Sequence, residues 1–347
     1  MNSKRSHSNS SRFEGCTITG TLAVTAFIRD AVSIIHGPSG CAHHNLSLIH
    51  ATLLGQETLP RCRILSTGLA EQDIIFGGED ALEEAIGRVS AQRPGVIFVL
   101  STCISDTIGD DVEAVTSRDW GLPVRFIRCG GFFGGSFHEG FAKALMAAAS
   151  LAPPSEIHDA DVNIVGERNL EFEVEESYRE VARLLRALDL EVNVRFVRNV
   201  STGELQKFGR GSLNILREDP AGTLSDFFGT RYEIPSLSGF PVGLSGTIRF
   251  LEDVGEILGI DAREAVREEL ALQEELASEF DDLAGATVSL DAFGFQCPEA
   301  GTLEEVAGAV GLRFGPEGTV IPIPIGSPVG TSGVRHMLRQ WRRFLHG

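Results

Sequence analysis

Five consecutive apolar residues, Val96-Ile97-Phe98-Val99-Leu100, set the fold class of this chain. A run without polar alternation suits a strand covered on both faces. Sheets covered on both faces are built from parallel strands, and parallel strands need long, usually helical crossovers. The flanking sequence supplies them. Leu82, Ile86 and Val89 recur at helical spacing within 80–92, and Pro94-Gly95 punctuates the end of that helix. A further helix is predicted over 107–115 and a further strand over 124–127, which completes a right-handed strand–helix–strand unit.

The same module recurs. An earlier helical pattern covers 21–33, and Ala152-Pro153-Pro154-Ser155 reads as a linker. Strands follow over 162–166, 192–197 and 213–216, with helices around Val174, Tyr178, Val181, Leu184 and Leu185 and over 246–257. Residues 261–283 read as one long charged helix, a connector or dimer arm rather than a core element. A shorter unit begins at Ala286, returns through Val320-Ile321-Pro322-Ile323, and ends in a basic helix over 333–345. The predicted organisation is a polar flexible tail over 1–12, an α/β domain over 13–155, a second over 156–260, and the long helix with a short third unit over 261–347. A chain of 347 residues with 42% hydrophobic content is long enough for two or three such cores.

Charge narrows the function classes. Thirty Lys and Arg against 48 Asp and Glu give a net charge of −18, the wrong sign for nucleic acid or an anionic membrane surface. No apolar stretch approaches the roughly 20 residues of a membrane span. The Ser-rich start has no hydrophobic h-region, so a cytoplasmic location is expected. Six cysteines in a large chain of this kind are metal-binding or catalytic thiols, or else small buried hydrophobes, rather than a disulfide framework.

Context divides the six. Cys16 (Phe13-Glu14-Gly15-Cys16-Thr17), Cys41 (His36-Gly37-Pro38-Ser39-Gly40-Cys41) and Cys103 (Ser101-Thr102-Cys103-Ile104) each sit in a turn beside a strand end or helix start. Helix N-termini stabilise thiolates, the metal-binding form, and glycines let backbone N–H groups approach cluster sulfurs. The carboxyl ends of parallel strands are where such sheets place ligands, so three separated loops can converge on one metal site. No Cys-x-x-Cys hook is present. His43 and His44 follow Cys41, but adjacent histidines on a short turn rarely converge on one metal, which favours supporting or surface roles. Cys62 lies between Arg61 and Arg63 with nothing else to mark it as reactive. Cys129 ends a strand as a packed residue, and Cys297 has no partner pattern.

Gly15-Cys16, Gly37-Pro38-Ser39-Gly40-Cys41, and Thr102-Cys103 followed by Ile108-Gly109-Asp110-Asp111 resemble, in order and separation, the three cluster-binding segments of nitrogenase component 1 proteins. Ser66-Thr67-Gly68-Leu69 and Glu71-Gln72-Asp73-Ile74-Ile75-Phe76-Gly77-Gly78 are similar to the segment between them. The resemblance is clear over 15–150, looser over 162–259 and faint afterwards, where Gly330-Thr331-Ser332-Gly333 matches a terminal glycine loop. It implies a nitrogenase component 1-like α/β fold of repeated Rossmann-like parallel-sheet units, the third abbreviated. It also implies dimerisation and a 4Fe–4S cluster near the dimer interface, with Cys16, Cys41 and Cys103 as iron ligands. The fourth ligand comes from the other subunit or a non-cysteine side chain, or the cluster is shared across a symmetric interface. Family members take electrons from a separate P-loop iron–sulfur reductase. This chain has no Gly-x-x-x-x-Gly-Lys-Ser/Thr, so ATP and Mg belong to that partner.

Departures from nitrogenase point away from dinitrogen. Nitrogenase holds its large cofactor by a Cys in the second unit and a His in the third. Here Leu213-Asn214-Ile215-Leu216-Arg217 has no Cys, and residues 325–330 have no His. Size and a compact third unit are most similar to the catalytic component of the Ni-sirohydrochlorin a,c-diamide reductive cyclase. That homodimer reduces a nickel tetrapyrrole and closes a lactam ring in the coenzyme F(430) pathway of methanogens. The alternatives are a metallocofactor assembly scaffold and another nitrogenase-like reductase, such as one acting on methylthio-alkanes, both normally built from two different chains. A carboxylate-rich substrate calls for arginine forks, for which Arg63, Arg125, Arg128 and Arg210 are candidates against ordinary solvated roles. Asp106 is expected to cap the following helix and Asp110 and Asp111 to lie on the surface, although all three stand where protons would be needed; the catalytic proton donor is unassigned.

Overall fold

A computed structural model describes residues 15–55, 63–131, 135–171, 173–219, 221–290, 300–323 and 326–346. The tail expected over 1–12, Cys62 and Cys297 lie outside the described residues. Three wholly parallel sheets follow one another along the chain. The first contains β1 (Ala31–His36), β2 (Ile64–Ser66), β3 (Val96–Ser101) and β4 (Val124–Ile127), in the order β2-β1-β3-β4. The second repeats that plan with β5 (Ala160–Val165), β6 (Val192–Phe196), β7 (Gly211–Leu216) and β8 (Ser236–Ser238), ordered β6-β5-β7-β8. The third is shorter: β9 (Thr287–Leu290), β10 (Arg313–Phe314) and β11 (Thr319–Ile321), with β9 central.

Each sheet starts at its centre, sends a crossover outward, and returns on the other side. In the first two sheets the strand order therefore reverses between β1 and β3 and between β5 and β7, the positions at whose carboxyl ends parallel sheets bind ligands. Both β1 and β3 are buried along their whole length, as the unbroken apolar run at 96–100 requires. Helices close the faces: α4 (Glu79–Ser90) buries Leu82, Ala85, Ile86 and Val89 on one side of the sheet. On the other side lie α1 (Thr17–Thr25) and α7 (Phe137–Ala149), with Leu22, Ala144 and Leu145 in the same core as Phe98 and Leu100. Full burial of an aliphatic or aromatic side chain contributes about 1.5–3 kcal/mol, so these faces are what hold the unit together.

Four expectations are corrected. The pattern over 21–33 divides into α1, which stops at Thr25, and strand β1, which begins at Ala31; Val32, Ile34 and Ile35 line both faces of the sheet, an environment helical spacing cannot satisfy. The helix expected over 107–115 is two short ones, α5 (Cys103–Ile108) and α6 (Val112–Thr116), because Gly109 turns left-handed at φ 82° and the Asp111 side chain caps the second. The charged helix α12 (Arg263–Glu279) is a core element: Ala265 packs into the second core and Leu276 into the third, while Glu269 is buried in an ion pair with Arg183. Gly330-Thr331-Ser332-Gly333 is no loop but the first turn of α14 (Gly330–His346), with Gly330 at φ 65° pressed against Glu180. Among the described residues no helix is long and apolar enough to cross a membrane.

Candidate metal centre

Two of the three marked thiols flank the first sheet's strand-order reversal. β1 ends at His36, and Cys41 lies in the first turn of α2 (Ser39–Gly55); β3 ends at Ser101, and Cys103 is the first residue of α5. Cys16 is the N-cap of α1, with extended backbone at φ −92°. Gly15 before it has φ 90°, and a Cβ there would fall 2.6 Å from Thr19 Oγ1, so the approach to Cys16 requires glycine.

Hydrogen bonds and close packing tie the three segments together. Cys16 Sγ is 3.8 Å from Thr19 Oγ1; that hydroxyl donates to Asn45 Oδ1 at 2.6 Å, and Asn45 Nδ2 donates to the Cys41 carbonyl at 2.8 Å. The segments of Cys41 and Cys103 meet at Gly37, where a Cβ would fall 2.3 Å from Thr102 Oγ1. Thr102 in turn caps α5, accepting from the Ser105 N–H. A buried network lies beneath: His36 Nε2 is 2.9 Å from Asp110 Oδ2, and His36 Nδ1 is 3.2 Å from Thr67 Oγ1. Gly78 N–H donates to Asp110 Oδ1, and Gly37 N–H donates to Thr67 Oγ1.

Electrostatics separate the thiols. Burial pushes the Cys41 thiol above its ordinary range, and the nearby Cys16 and Cys103 push it further. Bound iron would relieve the repulsion that Cys16 and Cys103 impose on the Cys41 thiolate. Cys16 is exposed, Cys41 and Cys103 are half-buried, and none of the four described cysteines forms a disulfide. Cys129 differs: it is buried, 3.2 Å from Thr21 Oγ1, and burial pushes its thiol up to about 12, as befits a packed residue. Among the described residues no three His, Cys, Asp or Glu side chains are close enough to hold one metal ion. An iron–sulfur cluster would not need them to meet at one point, since it spreads its thiolates over separate iron atoms.

The other candidates scatter. His43 and His44 are exposed on α2. Arg63 bonds Gln92, Arg125 donates to Ser150 Oγ at 3.1 Å, Arg128 lies 5.9 Å from the Phe126 ring centroid, and Arg210 forks onto Asp159. Of the four, Arg128 lines a small cavity together with Thr17, which follows Cys16, and Asp106, one turn beyond Cys103. Asp106 does not cap α5, because Thr102 does; it packs against Gly130 instead. Asp110 is not a surface residue but a buried partner of His36, and Asp111 caps α6. The sequence reading missed His36, Thr19 and Asn45 as organising residues. A histidine at the end of an apolar strand was the available signal for the first; nothing local marks the other two.

Parallel sheets covered by helices, with two of three marked thiols flanking the first strand-order reversal, define a Rossmann-like α/β protein with a candidate metal centre. The model of the nitrogenase component 1 type oxidoreductase family matches residues 16–292, and the chain belongs to that family. Nitrogenase iron-molybdenum cofactor biosynthesis protein NifE of Methanococcus maripaludis is 30% identical over 292 residues, covering 79% of this chain and 59% of that protein. The NifE protein of Clostridium pasteurianum is 30% identical over 269 residues, covering 75% and 57%. The nitrogenase molybdenum-iron protein alpha chain of Methanothermobacter thermautotrophicus is 27% identical over 269 residues, covering 72% and 56%. The chain thus spans less than two thirds of the length of these relatives. The solved structure of nitrogenase Cp1 at pH 5 shares the fold, with a TM-score of 0.66 and 24% identity over 89% of this chain and 66% of that one. Members of the family bind iron–sulfur clusters and work with an iron-protein partner.

Proposed function

We propose that this protein is the catalytic component of a nitrogenase-like reductive cyclase, which reduces Ni-sirohydrochlorin a,c-diamide and closes a lactam ring in coenzyme F(430) biosynthesis. The observation that carries the reading is a thiol triad in the first unit beside a second unit without cysteine: none occurs between Cys129 and Cys297. By the resemblance, the stretch corresponding to nitrogenase's cofactor-thiol segment is Leu213-Asn214-Ile215-Leu216-Arg217, here the end of β7 and the residue after it, with no cysteine. Such a chain keeps the means to hold a cluster and lacks that thiol anchor for a second metallocofactor, leaving the space to an organic substrate.

In this reading Cys16, Cys41 and Cys103 hold a 4Fe–4S cluster. The cluster supplies low-potential electrons one at a time. The Thr19–Asn45 bond and the Gly37–Thr102 contact keep the three thiols in register. The exposure of Cys16, and of Leu54 on the helix that carries Cys41, supports a centre covered by a second copy in a homodimer, with a fourth ligand from that copy or from a non-cysteine side chain. Electrons come from a separate P-loop iron–sulfur reductase that binds the ATP. Its docking surface is α3 (Glu71–Phe76), where Ile75 and Phe76 are 67% and 86% exposed and the following Gly78 is bonded to Asp110 in the Cys103 segment.

Anaerobic turnover with the reductase, MgATP, dithionite and Ni-sirohydrochlorin a,c-diamide tests the proposal. Mass spectrometry should find the reduced, ring-closed product. Unchanged substrate with both components cluster-loaded overturns it. A second reading, a metallocofactor assembly scaffold, is favoured by the 30% identity to proteins named for cofactor biosynthesis. A scaffold would pair with a different chain and hand a bound metallocofactor to an acceptor; so would a two-chain reductase of another substrate differ in subunit composition. A homodimer that turns over the tetrapyrrole excludes both.

A further inference from the structure

The second sheet has its own strand-order reversal, between β5 and β7, and the carboxyl side of such a reversal is where parallel sheets bind ligands. A cleft of about 520 Å³ opens there, between α7 and the segments following β5 and β7. Its volume lies in the small-molecule range of roughly 300–1,000 Å³. The floor is apolar: Phe137 and Phe141 stack with centroids 6.0 Å apart, flanked by Met146 and Leu224. Two cations stand on the rim. Lys143 Nζ is 2.7 Å from Glu139, and Arg168 is 2.9 Å from Glu171 while its other guanidinium nitrogen pairs with Glu218. A smaller cavity of about 300 Å³, lined by Thr17, Asp106 and Arg128, shares Glu139 and Lys143 with the cleft. Thr17 follows Cys16 and Asp106 is one turn beyond Cys103, so the smaller cavity lies beside the thiol segments and adjoins the cleft at Glu139 and Lys143. Thr17 Oγ1 is buried there without a partner among the described residues.

We propose that Arg168 and Lys143 are exchange anchors for ligand carboxylates, held ready by Glu218 and Glu139 until a ligand displaces them. The proposal rests on the tetrapyrrole reading and gives it a subsite for a flat, apolar-bodied, multiply carboxylated molecule. Partly exposed ion pairs of this kind contribute little net stability, so replacing an internal carboxylate by a ligand's costs little. Arginine adds a planar fork matched to carboxylate. In a chain of net charge −18, a polyanion needs such local cations, and a neutral ligand gains nothing by displacing the internal acids.

The test is an anaerobic equilibrium titration, without ATP, of the cluster-containing protein with Ni-sirohydrochlorin a,c-diamide, and in parallel with the same macrocycle as its methyl ester. Arg168→Gln and Lys143→Gln should each weaken binding of the acid about tenfold or more and leave the ester unchanged. Glu218→Gln should tighten the acid about two- to threefold, an effect of opposite sign that loss of fold cannot imitate. Unchanged acid binding in both cation variants overturns the proposal while the tetrapyrrole reading stands, as does an equal loss of acid and ester. A wild-type protein that binds neither macrocycle overturns both.

Discussion

His36 Nε2 lies 2.9 Å from Asp110 Oδ2, with both side chains withdrawn from solvent. The contact joins the end of β1, from which the chain turns to Cys41, to the loop that follows the Cys103 helix. Asp110 also accepts the Gly78 N–H, which draws in the α3–α4 junction, while Thr67 closes the network on the other ring nitrogen. One buried carboxylate thus fixes three loops around the thiol site.

Removing it should be costly. Asp110→Ala leaves the His36 ring nitrogen and the Gly78 N–H without partners and should lower stability by about 2–4 kcal/mol. Asp110→Asn keeps an acceptor and should cost less. Denaturant midpoints of the two variants, measured against wild type, check the order.

The same pair predicts a pH dependence. Burial lowers the His36 pKa below 6.5, and the hydrogen bond and charge of Asp110, with the more distant Glu79 and Asp73, offset this only in part. Between the folded pKa and about 6.5 the unfolded chain therefore binds a proton that the folded chain does not. The contribution of His36 makes stability rise with pH through that window and level off above it. His36→Gln should flatten this part of the stability–pH curve; an unchanged slope would show that other groups set it.

Helix α1, which carries Cys16 at its N-cap, rests on α7 through two glycines. A Cβ on Gly20 would fall 2.0 Å from the Phe137 carbonyl, and one on Gly140 would fall 2.0 Å from the Thr17 carbonyl. Gly140→Ala should force the helices apart, cost about 1–3 kcal/mol and lower iron content on reconstitution. Gly87, inside α4 with nothing within 4 Å of the added atom, is the control: Gly87→Ala should stabilise by about 0.5–1 kcal/mol. Thermal unfolding with iron analysis checks both.

Phe76→Ala, at the exposed end of α3, should leave cluster content and fold unchanged. It should slow reduction of the centre by the ATP-dependent partner about tenfold, as expected for an interface aromatic. Stopped-flow reduction with the partner against reduction by dithionite alone separates docking from damage to the centre.

What was legible in the sequence follows from burial. Residues 96–100 announce their strand because a strand covered on both faces leaves no polar alternation. Residues 31–36 do the same in the structure, yet follow α1 so closely that helical and strand patterns merge, and the boundary at Thr25 is invisible without tertiary contacts. The charged helix α12 reads as solvated because its buried Glu269 is neutralised by Arg183, a residue on another helix. At the candidate centre the thiols stand out by their glycine-rich contexts. The residues that organise them do not, because Thr19 meets Asn45 across 26 positions and His36 meets Asp110 across 74.

Replacing each cysteine by serine and assaying iron and sulfide, with electron paramagnetic resonance of anaerobically purified protein, tests the central claim most directly. Serine exchanges a soft thiolate for a hydroxyl that stays protonated and binds iron poorly. Cys16→Ser, Cys41→Ser and Cys103→Ser should each lose most of the iron and the cluster signal. Cys129→Ser, at a buried packed thiol, should keep both, as should Cys62→Ser and Cys297→Ser. Full iron and an unaltered signal in all three of the first variants, or equal loss in Cys129→Ser, would contradict the assignment.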